Sequence, residues 1–177
     1  MSDFTPRLTD AGIVNNPHYY SRNPFYEAGY GMPNCTAYAW GRSWEIADPN
    51  NEYINRPPLS TGNAEDWFNF NDGWERGTAP ALGAILCLAD GPFSGDGHVC
   101  VVEQINDDLS IVTSDSEYSG AFFRTVTRYP DNNYIGVAGY IFQGFIYNPF
   151  AGDTPTPPGD KIKTWLLLKA AQKLRGL

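Results

Sequence analysis

Lysine is missing from the first 160 residues of this 177-residue chain. Seven Arg stand there against all 20 acidic residues, a net of −13, while residues 161–177 hold the other five basic groups and no acid. An acidic body argues against nucleic acid as a partner, because that affinity rests on neutralising phosphates with Lys and Arg. Apolar runs are short as well: none reaches the ~18 residues a membrane-spanning helix needs, so no span is expected. The start, MSDFTPRLTDAG, has neither the basic stretch nor the apolar stretch of a secretory leader. Action outside a cell would then need another delivery route, or the chain is a piece of a larger one. Cysteine is scarce, at three (Cys35, Cys87 and Cys100), with an odd count that leaves at least one thiol free and spacings that fit no zinc pattern. Histidine is scarcer, with only His18 and His98, so any chemistry needing a Cys and a His has few residues to draw on.

What is present describes a folded domain. Apolar residues make up 42% and aromatics 15%, enough for one real core in a chain of this length. Residues 1–33 are rich in Asn, Pro, Tyr and Gly without a sustained period and read as an irregular lead-in. From Asn34 the pattern turns helical: Ala37, Trp40 and Trp44 recur on one face to about Ile46, Asn34 is placed to cap, and DPNN at 48–51 stops the helix. A second helix is expected after Asn63, with Glu65 and Asp66 in its first turn. Beyond GTAP the period becomes extended, and 83–90, 97–105, 109–117, 121–129 and 138–147 read as strands joined by Gly, Asp, Asn and Pro. Helices followed by short-linked strands predict an α+β fold with an antiparallel sheet.

Cys35 would stand at the first turn of its helix, where aligned N–H groups favour a thiolate. His98 is the available base, opening a strand just after the glycine-rich GPFSGDG. On that strand His98, Cys100 and Val102 share a face, and a Cys35 helix packed on it would bring sulfur and imidazole together. On the next strand Thr113, Asp115 and Glu117 alternate onto one face and Ser114 and Ser116 onto the other, so one of two acids can orient the imidazole. Cys87 and Cys100 fall on neighbouring strands and could face each other, with free thiols favoured over a disulfide. His18 reads as a surface or packing residue.

Four stretches, GMPNCTAYAWGR, APALGAILCL, GDGHVCVVE and VTSDSEYSG, in that order resemble the CHAP family, the cysteine, histidine-dependent amidohydrolase/peptidase domains of phage lysins and bacterial autolysins. The likeness runs from about Tyr30 to Tyr147. It implies a papain-like α+β fold, N-terminal helices packed on a five- to six-stranded antiparallel sheet, with Cys35 as nucleophile and His98 as base. Matching Tyr118 to the family's aromatic puts Asp115 at the orienting position, usually Glu, and Glu117 where many members have Asn. Glu117 itself holding His98 is the other option. Asn34, Tyr30, Trp67 and Ser116 are the candidate substrate contacts. No metal or other cofactor is expected, since between Asp10 and Cys35 only Glu27 could serve the calcium loop of some relatives.

By the same resemblance the substrate is peptidoglycan of a Gram-positive bacterium, cut in the stem or cross-bridge or at the N-acetylmuramoyl-L-alanine bond. Residues 1–149 would be the catalytic domain (core 30–147), 150–160 a proline-rich linker and 161–177 a basic amphipathic tail or the start of a further region. That layout suits a phage endolysin freed from the host cytoplasm at lysis, or a virion-associated tail lysin whose C-terminal segment meets other tail proteins. Either would act outside the cell at the wall. The alternative from another class is a silent wall-binding or structural module of a phage tail.

Overall fold

A computed structural model describes residues 4–91, 96–136 and 139–152. The linker and tail expected over 150–177 therefore lie almost wholly outside the described residues. The lead-in is irregular apart from one helical turn, α1 (Pro24–Glu27), capped by the Asn23 side chain. The long helix α2 (Cys35–Ala47) follows, then a 3₁₀ segment at Ala64–Asn69 and six strands: β1 (Arg76–Gly77), β2 (Ile85–Asp90), β3 (His98–Ile105), β4 (Ile111–Asp115), β5 (Arg124–Arg128) and β6 (Tyr140–Ile146). All pair antiparallel in the order β1-β6-β2-β3-β4-β5. The fold is thus α+β, one helical layer against an antiparallel sheet.

Three local expectations need correcting. The segment after Asn63 is helical but 3₁₀, and Asn63 makes no capping bond there. β4 stops at Asp115, so Glu117 belongs to the hairpin turn, where its N–H donates to the Ala121 carbonyl at 2.9 Å. The third correction concerns the sheet face. Ala37, Trp40 and Trp44 of α2 pack with Ile85, Cys87, Val99 and Val101, whereas Leu86, Leu88, Cys100 and Val102 form a second core on the far side. The helix therefore lies against the Val99/Val101 face and not the His98/Cys100/Val102 face. Cys87 and Cys100 point to opposite sides of the sheet, so they do not face each other, and all three cysteines are free.

Both faces of the sheet are covered, which is why β2 reads as a nearly continuous apolar run. His18 is fully buried, its Nε2 3.0 Å from Asp48 Oδ2 and its ring packed edge-on to Trp44, so it is a packing residue and not a surface one.

Candidate active site

Cys35 is the first residue of α2 and half-buried. Asn34 fixes that start: its Oδ1 accepts the Thr36 N–H at 2.9 Å and the Thr36 hydroxyl at 2.7 Å, while its Nδ2 donates to the Tyr30 carbonyl at 3.0 Å. A cap of this type contributes about 1 kcal/mol, and here it also sets the angle at which the chain enters the helix.

His98 opens β3 behind Gly97, whose φ is +75°. A Cβ at Gly97 would stand 2.7 Å from both the Leu88 carbonyl oxygen and the Glu65 nitrogen, so glycine alone lets the chain turn this tightly into the strand. By alternation His98 belongs to the face away from α2. It comes together with Cys35 because each stands at the first position of its element, close enough for the sulfur to favour the charged form of the imidazole. His98 Nε2 lies 2.6 Å from Asp115 Oδ2, which leaves Nδ1 for the sulfur.

Asp115 is fully buried and heavily engaged. Arg124 donates to it from Nε to Oδ1 at 2.5 Å and from Nη2 to Oδ2 at 3.1 Å, and Arg128 Nη2 stands 3.7 Å from Oδ2. Glu117 does not reach His98 in this arrangement; its carboxylate accepts from Arg124 Nη1. Burial by itself would raise the Asp115 pKa, but the hydrogen bonds from His98 and Arg124 outweigh it and hold the carboxyl below its usual range. Burial likewise opposes charge on His98, yet the bond to Asp115 and the nearby Cys35 sulfur win, and its pKa is pushed up to about 9. At neutral pH the imidazole therefore carries a proton beside the sulfur.

In front of these groups lies a groove of about 570 Å³ reached by Tyr30, Asn34, Cys35, Asn63, Asp96 and Tyr118. Of the expected substrate contacts, Tyr30 is 59% exposed at its rim. Asn34 lines it with a side chain already spent on capping. Trp67 and Ser116 are fully buried and do not reach it. Trp67 stacks on Phe25 and donates from its indole to the Gly62 carbonyl at 3.2 Å, and Ser116 Oγ donates to the Ala121 carbonyl at 3.1 Å. The expectation for these two is corrected: one is core, the other braces a turn.

A model of the CHAP domain matches residues 25–117 of this sequence. The chain belongs to the CHAP family. Cys35, His98 and Asp115 all fall inside the matched span. The CHAP domain is 31% identical over 115 residues to the probable autolysin SsaALP of Staphylococcus aureus, covering 65% of this chain and 38% of that protein. It is 33% identical over 111 residues to the N-acetylmuramoyl-L-alanine amidase sle1 of S. aureus, covering 59% of this chain and 30% of that protein. The chain thus spans about a third of the length of these relatives. A crystal structure of an N-acetylmuramoyl-L-alanine amidase from S. aureus aligns at 25% identity and a TM-score of 0.44, over 64% of this chain and 32% of that one.

Two residues of the CHAP site escaped the sequence reading, and both lie beyond the matched span. Arg124 sits directly across from Asp115 in the β4–β5 register, and opposite charges at facing positions of a hairpin were the signal that could have found it. Tyr140, on β6, stacks its ring on the imidazole with centroids 5.9 Å apart and 29° between planes, covering one face of His98. Only the three-dimensional order of the sheet brings it there.

His98, Cys100 and Asp115 offer donor atoms within 4.8 Å of one another. The donor set fits a metal poorly. Two guanidiniums already crowd the carboxylate, and a further cation there would meet their charge. Burial pushes the Cys100 thiol up to about 11, so giving up its proton to a metal costs more here than at an exposed thiol.

Proposed function

We propose that this CHAP domain is a peptidoglycan hydrolase that cleaves an amide bond with Cys35 as nucleophile, His98 as base and acid, and Asp115 as the orienting group. The observation that carries the reading is the imidazole set between the sulfur of Cys35 and a buried carboxylate to which it is hydrogen-bonded, with the sulfur lining a groove. The names of the relatives, an autolysin and an N-acetylmuramoyl-L-alanine amidase, support the substrate class.

The thiolate attacks the scissile carbonyl carbon, forming a C–S bond and an oxyanion. Asn34 occupies the Thr36 N–H, so the N–H of Cys35 is the backbone donor beside that oxygen. Collapse breaks the C–N bond as His98 passes its proton to the departing amine. Water then gives a proton back to His98 and adds to the thioester, releasing the carboxylate and restoring the thiolate. Asp115 holds the ring in position and stabilises its positive charge throughout. The bond cut is either the N-acetylmuramoyl-L-alanine amide or one within the stem or cross-bridge peptide. The wider setting in this reading is a Gram-positive wall attacked by a phage lysin, freed at lysis or carried on a tail.

Zymography on Gram-positive walls tests it. Wild-type protein is expected to clear the gel and Cys35→Ala to leave it opaque. Equal clearing by both, or none by either, would sink the proposal and favour a binding module without turnover. Mass spectrometry of the digested sacculi names the bond.

A further inference from the structure

We infer that Asp96 makes the groove selective for wall peptides that present a free ammonium group beside the scissile amide. The inference deepens the hydrolase reading and rests on it for the position of that amide. Among the residues lining the groove Asp96 alone carries a carboxylate. It is exposed, and it stands two residues before His98, so its Cα is within about 7 Å of the histidine's along the chain.

The carboxylate is held in place before any ligand arrives. Asn63 Nδ2 donates to Asp96 Oδ1 at 3.0 Å, and the Asp96 carbonyl accepts the Glu65 N–H at 3.1 Å, tying the loop to the 3₁₀ segment across the groove. Among the described residues no cation pairs with it. The two cations of the site are turned to Asp115 on the far side of the imidazole, Arg124 pairing with Asp115 and Glu117 and Arg128 standing 3.7 Å from Asp115. Tyr30 and Tyr118, 59% and 66% exposed, offer ring faces at the same opening, and such faces attract ammonium groups. A substrate amine, from a diamino-acid side chain or an unlinked peptide N-terminus, would meet a fixed anion and aromatic rings. An acylated amine loses that attraction.

The test compares two muramyl peptides that differ at one atom group, a lysine side chain with a free amine and the same side chain Nε-acetylated. Wild-type protein is expected to favour the free amine in kcat/KM by about fivefold, the scale of a partly exposed ion pair. The ratio should fall to about one in Asp96→Asn, persist in Asp96→Glu, and shrink with added salt. A ratio unchanged by Asp96→Asn overturns the assignment. Calorimetric binding of both peptides to Cys35→Ala reads the same preference without chemistry. Preference in binding with no wild-type turnover defeats the hydrolase reading and leaves the amine site standing; turnover without preference does the reverse.

Discussion

Asp115→Asn is expected to lower kcat by about 10³- to 10⁴-fold, the scale seen when a base loses the group that fixes its ring, with little change in KM. Glu117→Gln should cost far less, because Glu117 reaches the site only through Arg124. A larger fall for Glu117→Gln than for Asp115→Asn would reverse their roles. The pH dependence should change with the kcat. His98 is raised from 6.5 to about 9 in the folded protein, so its proton favours the fold fully below pH 6.5 and that contribution is lost as pH rises through 9. The descending limb of the activity profile should stand near pH 9 in wild type, where the imidazole can no longer protonate the leaving amine, and move to lower pH in Asp115→Asn. Urea unfolding across pH 6.5 to 9 should show wild type losing stability with a steeper slope than the variant. A limb that does not move would mean that Asp115 does not support the charged ring.

The second large effect lies behind the site. Glu103 is wholly buried on β3 and its carboxylate collects four donors: Arg42 Nε at 3.0 Å, Arg42 Nη2 at 2.9 Å, Ser114 Oγ at 2.6 Å and the Arg7 backbone N–H at 2.7 Å. Arg42 belongs to α2, Ser114 to β4 and Arg7 to the lead-in, so one side chain ties the helix bearing Cys35 to the strand bearing Asp115. Glu103→Ala leaves Arg42 with Glu45 as its one carboxylate and takes the acceptor from the buried Ser114 hydroxyl and the Arg7 N–H, and should cost about 3 kcal/mol, lowering Tm by roughly 10 °C. The double variant Arg42→Met/Glu103→Leu, which removes both members of the pair while Glu45 keeps Arg7, should recover the part of that loss due to the unbalanced charge. A single-variant cost under about 1 kcal/mol, measured by denaturant unfolding, would show that the pair does not hold the helix.

Cys35, His98 and Asp115 could be read from the chain because each is marked locally: a cap before a helix, a glycine before a strand, an acid within alternation. The spacing of Ala37, Trp40 and Trp44 likewise gave the packed face of α2, and all three are buried. Side-chain alternation did not say which face of β3 meets the helix, since both faces of this sheet are apolar and the period is the same for either. Trp67 reads alike as a groove wall or a core ring, and the choice was settled by its stacking on Phe25. Arg124 and Tyr140 needed the β4–β5 register and the β6–β2–β3 order, which are properties of strand pairing across the chain and not of any single stretch.

The opposed directions of Cys87 and Cys100 carry a practical consequence. Each sulfur is sealed in its own core, on its own side of the sheet, and Cys35 alone is partly open to solvent. The native protein therefore presents a single accessible thiol to a thiol-alkylating reagent. Chemical occupancy of the site can be counted in the folded molecule without mutating the other two cysteines.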